Sequence, residues 1–193
     1  GYQGIPSTQS RTVSAWINTE TLGVIVSWGK NVTGQKWTFR VQDYVGTIGA
    51  IRLEVGNGWM VGETDVRDGR WHHVAVVLDS DGTPNTDELQ LYVDGRREAA
   101  SNIYPQTIDT VAEADVKIGA FIGFPEYFNG RIDDVRIYDR AVSDAEIAAL
   151  ANLETSPTAG LVGHWKLDET LGTVVADSAA SHPGTITGNP LWQ

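Results

Sequence analysis

Two adjacent histidines, His72 and His73, are the side chains that most readily suggest metal or acid–base chemistry. They follow Trp71 in a segment whose apolar run, from Val74 to Leu78, predicts a β-strand. Adjacent strand residues point to opposite faces of a sheet, so the two imidazoles cannot bind one ion from the same face. The pattern predicts one packed and one exposed histidine rather than a catalytic pair.

Paired carboxylates would be needed for glycoside hydrolysis. A retaining glycosidase places two carboxyl groups about 5–5.5 Å apart. The nearest candidate is Glu113-Ala-Asp115, but no second Glu follows it, and Asp87-Glu88 lies at the start of a predicted strand. The sequence also contains no Gly-x-Ser-x-Gly motif, no Gly-rich phosphate loop with Lys and no Cys. We therefore predict no catalytic residues.

Aromatic residues in turn-rich segments are the candidates for ligand binding. Trp59 follows the turn signal Gly56-Asn57-Gly58, and three tyrosines lie in or beside predicted loops: Tyr44, Tyr104 and Tyr127. Exposed rings can stack on the apolar faces of sugars, and loops commonly carry binding sites. These four residues predict a glycan-binding surface, with core packing an equal alternative for Trp59. The other tryptophans that match a strand period are predicted to lie in the core: Trp16, Trp28, Trp37 and Trp71.

The charge balance limits the classes of partner. The 193 residues carry 25 acidic and 14 basic side chains, a formal net charge of −11. Nucleic acids and anionic lipids require clustered Lys and Arg, so neither is expected as a partner. No apolar run reaches the roughly 20 residues needed to cross a bilayer, so no membrane insertion is expected. The chain opens at Gly1 without Met, which suggests a processed protein or a fragment.

Period-two alternation of polar and apolar residues dominates the chain. It predicts short strands separated by Gly, Asp and Asn turns, as in an all-β sandwich. The predicted strands are 12–17, 23–28, 36–42, 50–55, 71–78, 88–93, 115–120, 130–138 and 161–167, with a weak strand at 183–188. One short helix is predicted over 143–151, because Ser143 and Glu146 form a capping box.

Five segments in order resemble the laminin G-like jelly-roll domains of large exported bacterial proteins. They are 10–17, 68–75, 91–95 and 128–138, running on into 139–147. The resemblance implies an all-β fold: a two-sheet antiparallel jelly-roll sandwich of the concanavalin A-like type, spanning residues 1–153. Residues 154–160 are predicted to be a linker, and residues 161–193 a tail.

The tail is similar to the opening strand of such a domain, which in the family precedes the Ser14-Ala15-Trp16-Ile17 strand. Two explanations remain open. The chain is a segment of a tandem array, out of phase with its repeats. Alternatively, the tail supplies the missing strand, either to its own sandwich or to a neighbouring copy in a head-to-tail filament.

The resemblance also implies a structural calcium ion beside the closing strand. The implied ligands are Asp133, Asp177, Ser181 and His182, with Asp168 and Glu169 as second choices. Their hard oxygen atoms suit Ca²⁺. The alternative is that Asp133 belongs to a regular strand and Asp177 caps a turn.

The function implied is that of a secreted or cell-surface recognition module without catalytic activity, which binds a glycan or cell-surface polymer and is stabilised by calcium. The competing hypothesis is a structural subunit of an extracellular filament or tandem array, assembled from copies of the chain by strand donation. A fold of this kind hosts many functions, so the site must decide between them.

Overall fold

The computed structural model describes residues 1–188, and the last five residues of the predicted tail lie outside them. The fold is an antiparallel two-sheet sandwich, which confirms the predicted fold class. Its strands are β1 (Arg11–Thr19), β2 (Gly23–Gly29), β3 (Lys36–Val41), β4 (Ile51–Glu54), β5 (Trp59–Val61), β6 (Trp71–Leu78), β7 (Gln90–Val93), β8 (Arg96–Arg97), β9 (Asn102–Tyr104), β10 (Ala114–Ile118), β11 (Gly130–Tyr138), β12 (Leu161–Trp165), β13 (Val174–Val175) and β14 (Gly184–Thr185).

Two six-stranded sheets enclose the core. The first sheet has the order β12-β11-β1-β6-β7-β8, and the second has the order β10-β2-β3-β4-β5-β9. Strands β13 and β14 form a separate small ribbon. Alternate apolar side chains of both sheets meet between them, where Trp28 and Trp37 are fully buried and stack with their centroids 5.5 Å apart. The period-two pattern thus places every second residue on an outer face.

Short strands at the end of the second sheet were missing from the sequence prediction. Strands β5 and β9 have only three residues each, too few for alternation to be visible. They pair with each other, so that Trp59 faces Tyr104 directly across the ladder. This pairing sets the geometry of the candidate site described below.

One α-helix, α1 (Asp144–Ala151), packs on the outer face of the first sheet. Ser143 accepts a hydrogen bond from the Glu146 backbone N–H and the Glu146 carboxylate accepts one from Ser143, which confirms the predicted capping box. Ile147 and Leu150 are its buried residues. No helix within residues 1–188 is long and apolar enough to span a membrane.

The tail returns to its own sandwich. Strand β12 pairs antiparallel with β11, with Val135 opposite Trp165 and Arg136 opposite His164. Trp165 is only 4% exposed, and its Nε1–H donates to the His182 carbonyl at 3.0 Å. In this single chain β12 therefore extends the first sheet at its β11 edge.

Candidate functional site

The outer face of the second sheet combines charged and aromatic side chains. Phe39 and Leu53 point into the core, so their strand neighbours point outward. On β3 and β4 the outward residues include four that we call the charged floor: Lys36, Arg40, Arg52 and Glu54. On the adjoining strands and loop, Tyr44, Trp59 and Tyr104 form what we call the aromatic ridge.

The aromatic ridge brings together three of the four predicted ligand-binding residues. The rings of Trp59 and Tyr104 stack with centroids 5.1 Å apart, and Tyr44 meets Trp59 edge-on at 6.2 Å. Tyr44 is 72% exposed and Tyr104 is 54% exposed, whereas Trp59 is half-buried. The two tyrosines therefore offer the accessible surface, and Trp59 supports them.

Hydrogen bonds fix both the indole of Trp59 and the loop that carries Tyr44. The Trp59 Nε1–H donates to Asn102 Oδ1 at 2.7 Å, which orients the indole relative to β9. The buried Gln42 amide donates to the carbonyls of Val45 and Thr47 and accepts from the Tyr44 backbone N–H. Ser101 Oγ also accepts a hydrogen bond from the Thr47 N–H at 3.0 Å, so two side chains hold the loop that carries Tyr44. A fixed aromatic surface loses little conformational entropy when a ligand binds.

The charged floor is an ion-pair network that the sequence analysis did not single out. Glu54 accepts from Lys36 Nζ at 2.6 Å and pairs with Arg52 at 2.8 Å. Lys36 and Arg52 are each only 7% exposed, and Glu54 is 9% exposed. Burial alone would raise the pKa of Glu54, but the adjacent Lys36 and Arg52 outweigh it and leave the pKa lowered. The sequence signal was present, since polar residues alternate with apolar ones in Ile51-Arg52-Leu53-Glu54.

A loop between β10 and β11 borders the other side of the charged floor. Glu126 on this loop forms a two-pronged ion pair with Arg40, and Phe121 lies under Lys36 Nζ at 4.7 Å from its ring centroid. Only β3 and β4 separate this loop from the aromatic ridge, and neighbouring strands are about 4.8 Å apart. The charged floor is thus covered on one side by this loop, and the exposed aromatic surface of this face is on the aromatic ridge.

Tyr127, the fourth predicted ligand-binding residue, lies elsewhere. It is 68% exposed and bridges to Ala120 beside β10, at the opposite edge of the sheet from β9. Tyr127 is therefore not part of the aromatic ridge.

Two tryptophans predicted to lie in the core are on the outer face of the first sheet. Trp71 is 41% exposed and Trp16 is half-buried, while Ala15 and Ile17 on either side of Trp16 point into the core. The core prediction is wrong for both, because alternation fixes which residues share a face but not which face is inside. Trp28 and Trp37 are buried as predicted.

The two histidines have opposite environments. His73 is 2% exposed, its ring meets Trp16 at 5.5 Å, and burial together with nearby Arg136 lowers its pKa to about 4. His72 lies at the end of the sandwich between Asp68 and Asp94. Burial lowers the pKa of His72, but the hydrogen bonds to these two carboxylates outweigh it and raise the pKa. Neither arrangement is a shared metal site.

Asp177, the central predicted calcium ligand, is engaged by the backbone. Its carboxylate side chain is completely buried and accepts hydrogen bonds from the N–H groups of His164, Ala179, Ala180 and His182, at 2.9–3.3 Å. Burial would raise its pKa, but these N–H donors outweigh it and hold the pKa down. The carboxylate therefore closes a turn and fixes the tail loop, which is the alternative role considered for it.

The remaining predicted calcium ligands do not complete a site around Asp177. Within residues 1–188 no three acidic or histidine side chains are arranged to hold a metal ion. His182 stacks on Tyr2 at 4.5 Å, and Asp133 lies instead near Asp134 and Asp168, where burial and these two carboxylates raise its pKa. In the part of the chain that the structure describes, no hydrogen bond joins the Ser181 side chain to these residues. The implied site has two carboxylates, with backbone carbonyls as its other ligands, so a search for three such side chains does not test it, and calcium binding stays a prediction.

His164 links the tail to the first sheet through a hydrogen-bonded chain. Its Nε2 lies 2.6 Å from Asp134 Oδ1 and its Nδ1 lies 2.8 Å from Ser178 Oγ. These residue types could form a nucleophilic triad, which also requires backbone N–H donors for an oxyanion. The N–H groups that follow Ser178, of Ala179 and Ala180, are directed at Asp177. The chain of contacts is therefore suited to holding the tail in place.

The fold and the aromatic ridge define a β-sandwich of the lectin-like class. Residues 3–148 match a laminin G family model of the concanavalin A-like lectin/glucanases superfamily, and the chain belongs to this family. The match confirms the resemblance stated from the sequence. A search of curated proteins gave no significant match.

Several solved structures share the fold. A provisionally assigned carbohydrate-binding protein from Bacteroides ovatus is 22% identical with a TM-score of 0.69, and the alignment covers 93% of this chain but 52% of that one. This chain thus spans about half of its length. Domain 4 of AbnA, an extracellular family GH43 arabinanase of Geobacillus stearothermophilus solved with arabinotriose, is 22% identical (TM-score 0.57; 76% and 68% covered). Mouse laminin α1 domains LG4-5 are 15% identical (TM-score 0.50; 75% and 42% covered).

Proposed function

We propose that the chain is a non-catalytic carbohydrate-binding module, and that the aromatic ridge and charged floor of the second sheet are its binding surface. The observation that carries the proposal is the ridge itself. Tyr44 and Tyr104 expose large ring surfaces while Trp59 and Asn102 hold them in place. Such preformed aromatic surface beside polar groups matches the alternating apolar faces and hydroxyl groups of a sugar.

The family and its structural neighbours support this class of ligand. The matched family belongs to a lectin and glucanase superfamily, and one neighbour of similar fold was solved with arabinotriose. Of the carboxylates considered from the sequence, neither Glu113-Ala-Asp115 nor Asp87-Glu88 matches a retaining pair, which favours binding over hydrolysis. An extracellular or cell-surface location is part of the proposal, because polymeric glycans of that kind lie outside cells.

The test is a binding screen followed by site variants. The purified chain is applied to an array of plant, bacterial and animal glycans that includes arabinan oligosaccharides, and each positive is measured by calorimetry. In the Tyr44→Ala/Tyr104→Ala variant we expect the affinity to fall by about tenfold or more, roughly 1.4 kcal/mol. Trp71→Ala, which removes an exposed ring from the outer face of the first sheet, should bind like the wild type.

Two results would contradict the proposal. One is a folded wild-type chain that binds nothing on the array. The other is a ligand whose affinity is equal in the wild type and in the double variant, which would place its site away from the aromatic ridge.

A further inference from the structure

A recess lies on the outer face of the first sheet, on the opposite side of the sandwich from the aromatic ridge. Helix α1 covers one part of this face through Ala75, Val77 and Tyr138. Beyond the helix lies a shallow recess of about 500 Å³ that is largely open to solvent. It is lined by Trp16, Trp71, Asp133, Asp134, Arg136, Leu153, His164, Lys166 and Asp168.

Apolar side chains form much of the recess surface. Trp71 is 41% exposed, and Leu153, just after the helix, is 75% exposed. Trp16 is held by the edge of the buried His73 ring at 5.5 Å. Two tryptophan rings and a leucine left open to solvent on a folded sandwich form a surface that a ligand can cover.

The charges in the recess are unevenly balanced. Asp134 forms an ion pair with Arg136 at 3.0 Å, and His164 Nε2 lies 2.6 Å from its carboxylate. Asp133 and Asp168 form no ion pair within residues 1–188. Lys166 is exposed, so its flexible side chain can extend into solvent. The net result is negative charge beside tryptophan rings.

We propose that this recess binds an organic cation, an alkylammonium or guanidinium group, between Trp16 and Trp71 and against Asp133 and Asp168. Tryptophan is the aromatic residue that attracts cations most strongly through its ring face. A nearby carboxylate adds direct charge attraction, which is stronger in a partly apolar recess than in bulk water. The site is independent of the proposed glycan surface, since the two lie on different sheets.

The test compares choline with its neutral isostere 3,3-dimethylbutan-1-ol, which has a similar shape but no charge. Each is titrated into the full chain at constant ionic strength, and binding is followed by calorimetry and by the indole N–H signals of the NMR spectrum. We expect saturable binding of choline, shifts confined to the signals of Trp16 and Trp71, and binding of the neutral alcohol about tenfold weaker or undetectable.

Variants then locate the site. Trp71→Ala and Asp133→Asn should each weaken choline binding by about tenfold, while Tyr104→Ala on the other sheet should leave it unchanged. Retained circular dichroism shows that each variant is folded. The proposal is overturned if neither choline nor tetramethylammonium saturates the chain, if the neutral alcohol binds equally well, or if Asp133→Asn binds choline like the wild type.

Discussion

The guanidinium of Arg52 lies over the ring of Trp59, with its Cζ atom 4.6 Å from the ring centroid. Tyr104, which extends from the strand on the other side of β5, stacks on the same indole at 5.1 Å. Trp59 is thus supported by a cation on one side and by an aromatic ring on the other. This relationship joins the charged floor to the aromatic ridge, so that disturbing the ion pairs also affects the binding surface.

The first prediction concerns Glu54, which balances both Lys36 and Arg52. Glu54→Gln leaves two nearly buried cations without a counter-charge, and we expect the free energy of unfolding to fall by about 3 kcal/mol. Urea denaturation followed by tryptophan fluorescence measures the change. Asp65→Asn, which breaks the exposed pair with Arg67, should cost less than about 1 kcal/mol. Equal losses in the two variants would show that burial does not set the strength of the network.

The second prediction concerns pH and His73. The pKa of His73 is about 4 in the folded chain and about 6.5 when unfolded. Between these values the unfolded chain binds a proton that the folded chain does not, so stability falls as the pH decreases. The loss approaches about 3 kcal/mol near pH 4 and is absent above pH 7. His73→Phe keeps a ring against Trp16 but removes the titration.

Urea titrations at pH 7.5 and pH 4.5 measure this effect, and the variant should lose less stability than the wild type on acidification. His72 provides a control of opposite sign. Folding raises the pKa of His72, so its protonated form stabilises the folded chain at a pH below the pKa of the unfolded chain. This stabilisation is lost as the pH rises through the pKa of the folded chain. His72→Gln should therefore lose more stability than the wild type at acidic pH. A His73→Phe profile parallel to that of the wild type would count against the buried neutral imidazole.

The third prediction concerns the tail. Trp165 is nearly buried and packs against Tyr2 with ring centroids 6.1 Å apart. Trp165→Ala should lower the free energy of unfolding by about 3–5 kcal/mol. Leu171→Ala, at a residue of the same tail that is 78% exposed, should change it by less than about 0.5 kcal/mol.

Light scattering after size exclusion distinguishes intramolecular from intermolecular pairing of β12. We expect a monomer at every concentration, because β12 completes the sheet of its own chain. A dimer or filament that grows with concentration would instead support donation of the tail strand to a neighbouring copy.

Local chemistry let the sequence predict much of the fold. Alternation identified the long strands, such as β1 and β11, because burying one sheet face requires a period of two. The capping box was predicted because Ser143 and Glu146 interact within one turn of helix. Turn composition also indicated that Tyr44 and Tyr104 lie at the surface, where the structure exposes them, because polar and Gly-rich segments are rarely buried.

Only the tertiary structure decided which of these residues meet. Trp59 and Tyr104 are far apart in sequence, and the three-residue strands that join them carry too short a pattern to be recognised. The sequence also did not show which groups meet the Asp177 carboxylate. In the structure it accepts hydrogen bonds from N–H groups of its own loop and of β12. For Trp16 and Trp71 the sequence did not show which face of the strand is inside, because a period of two leaves this open until the sheets pack. Side-chain types and short-range spacing thus determined the strands and helix, whereas long-range pairing determined the sites.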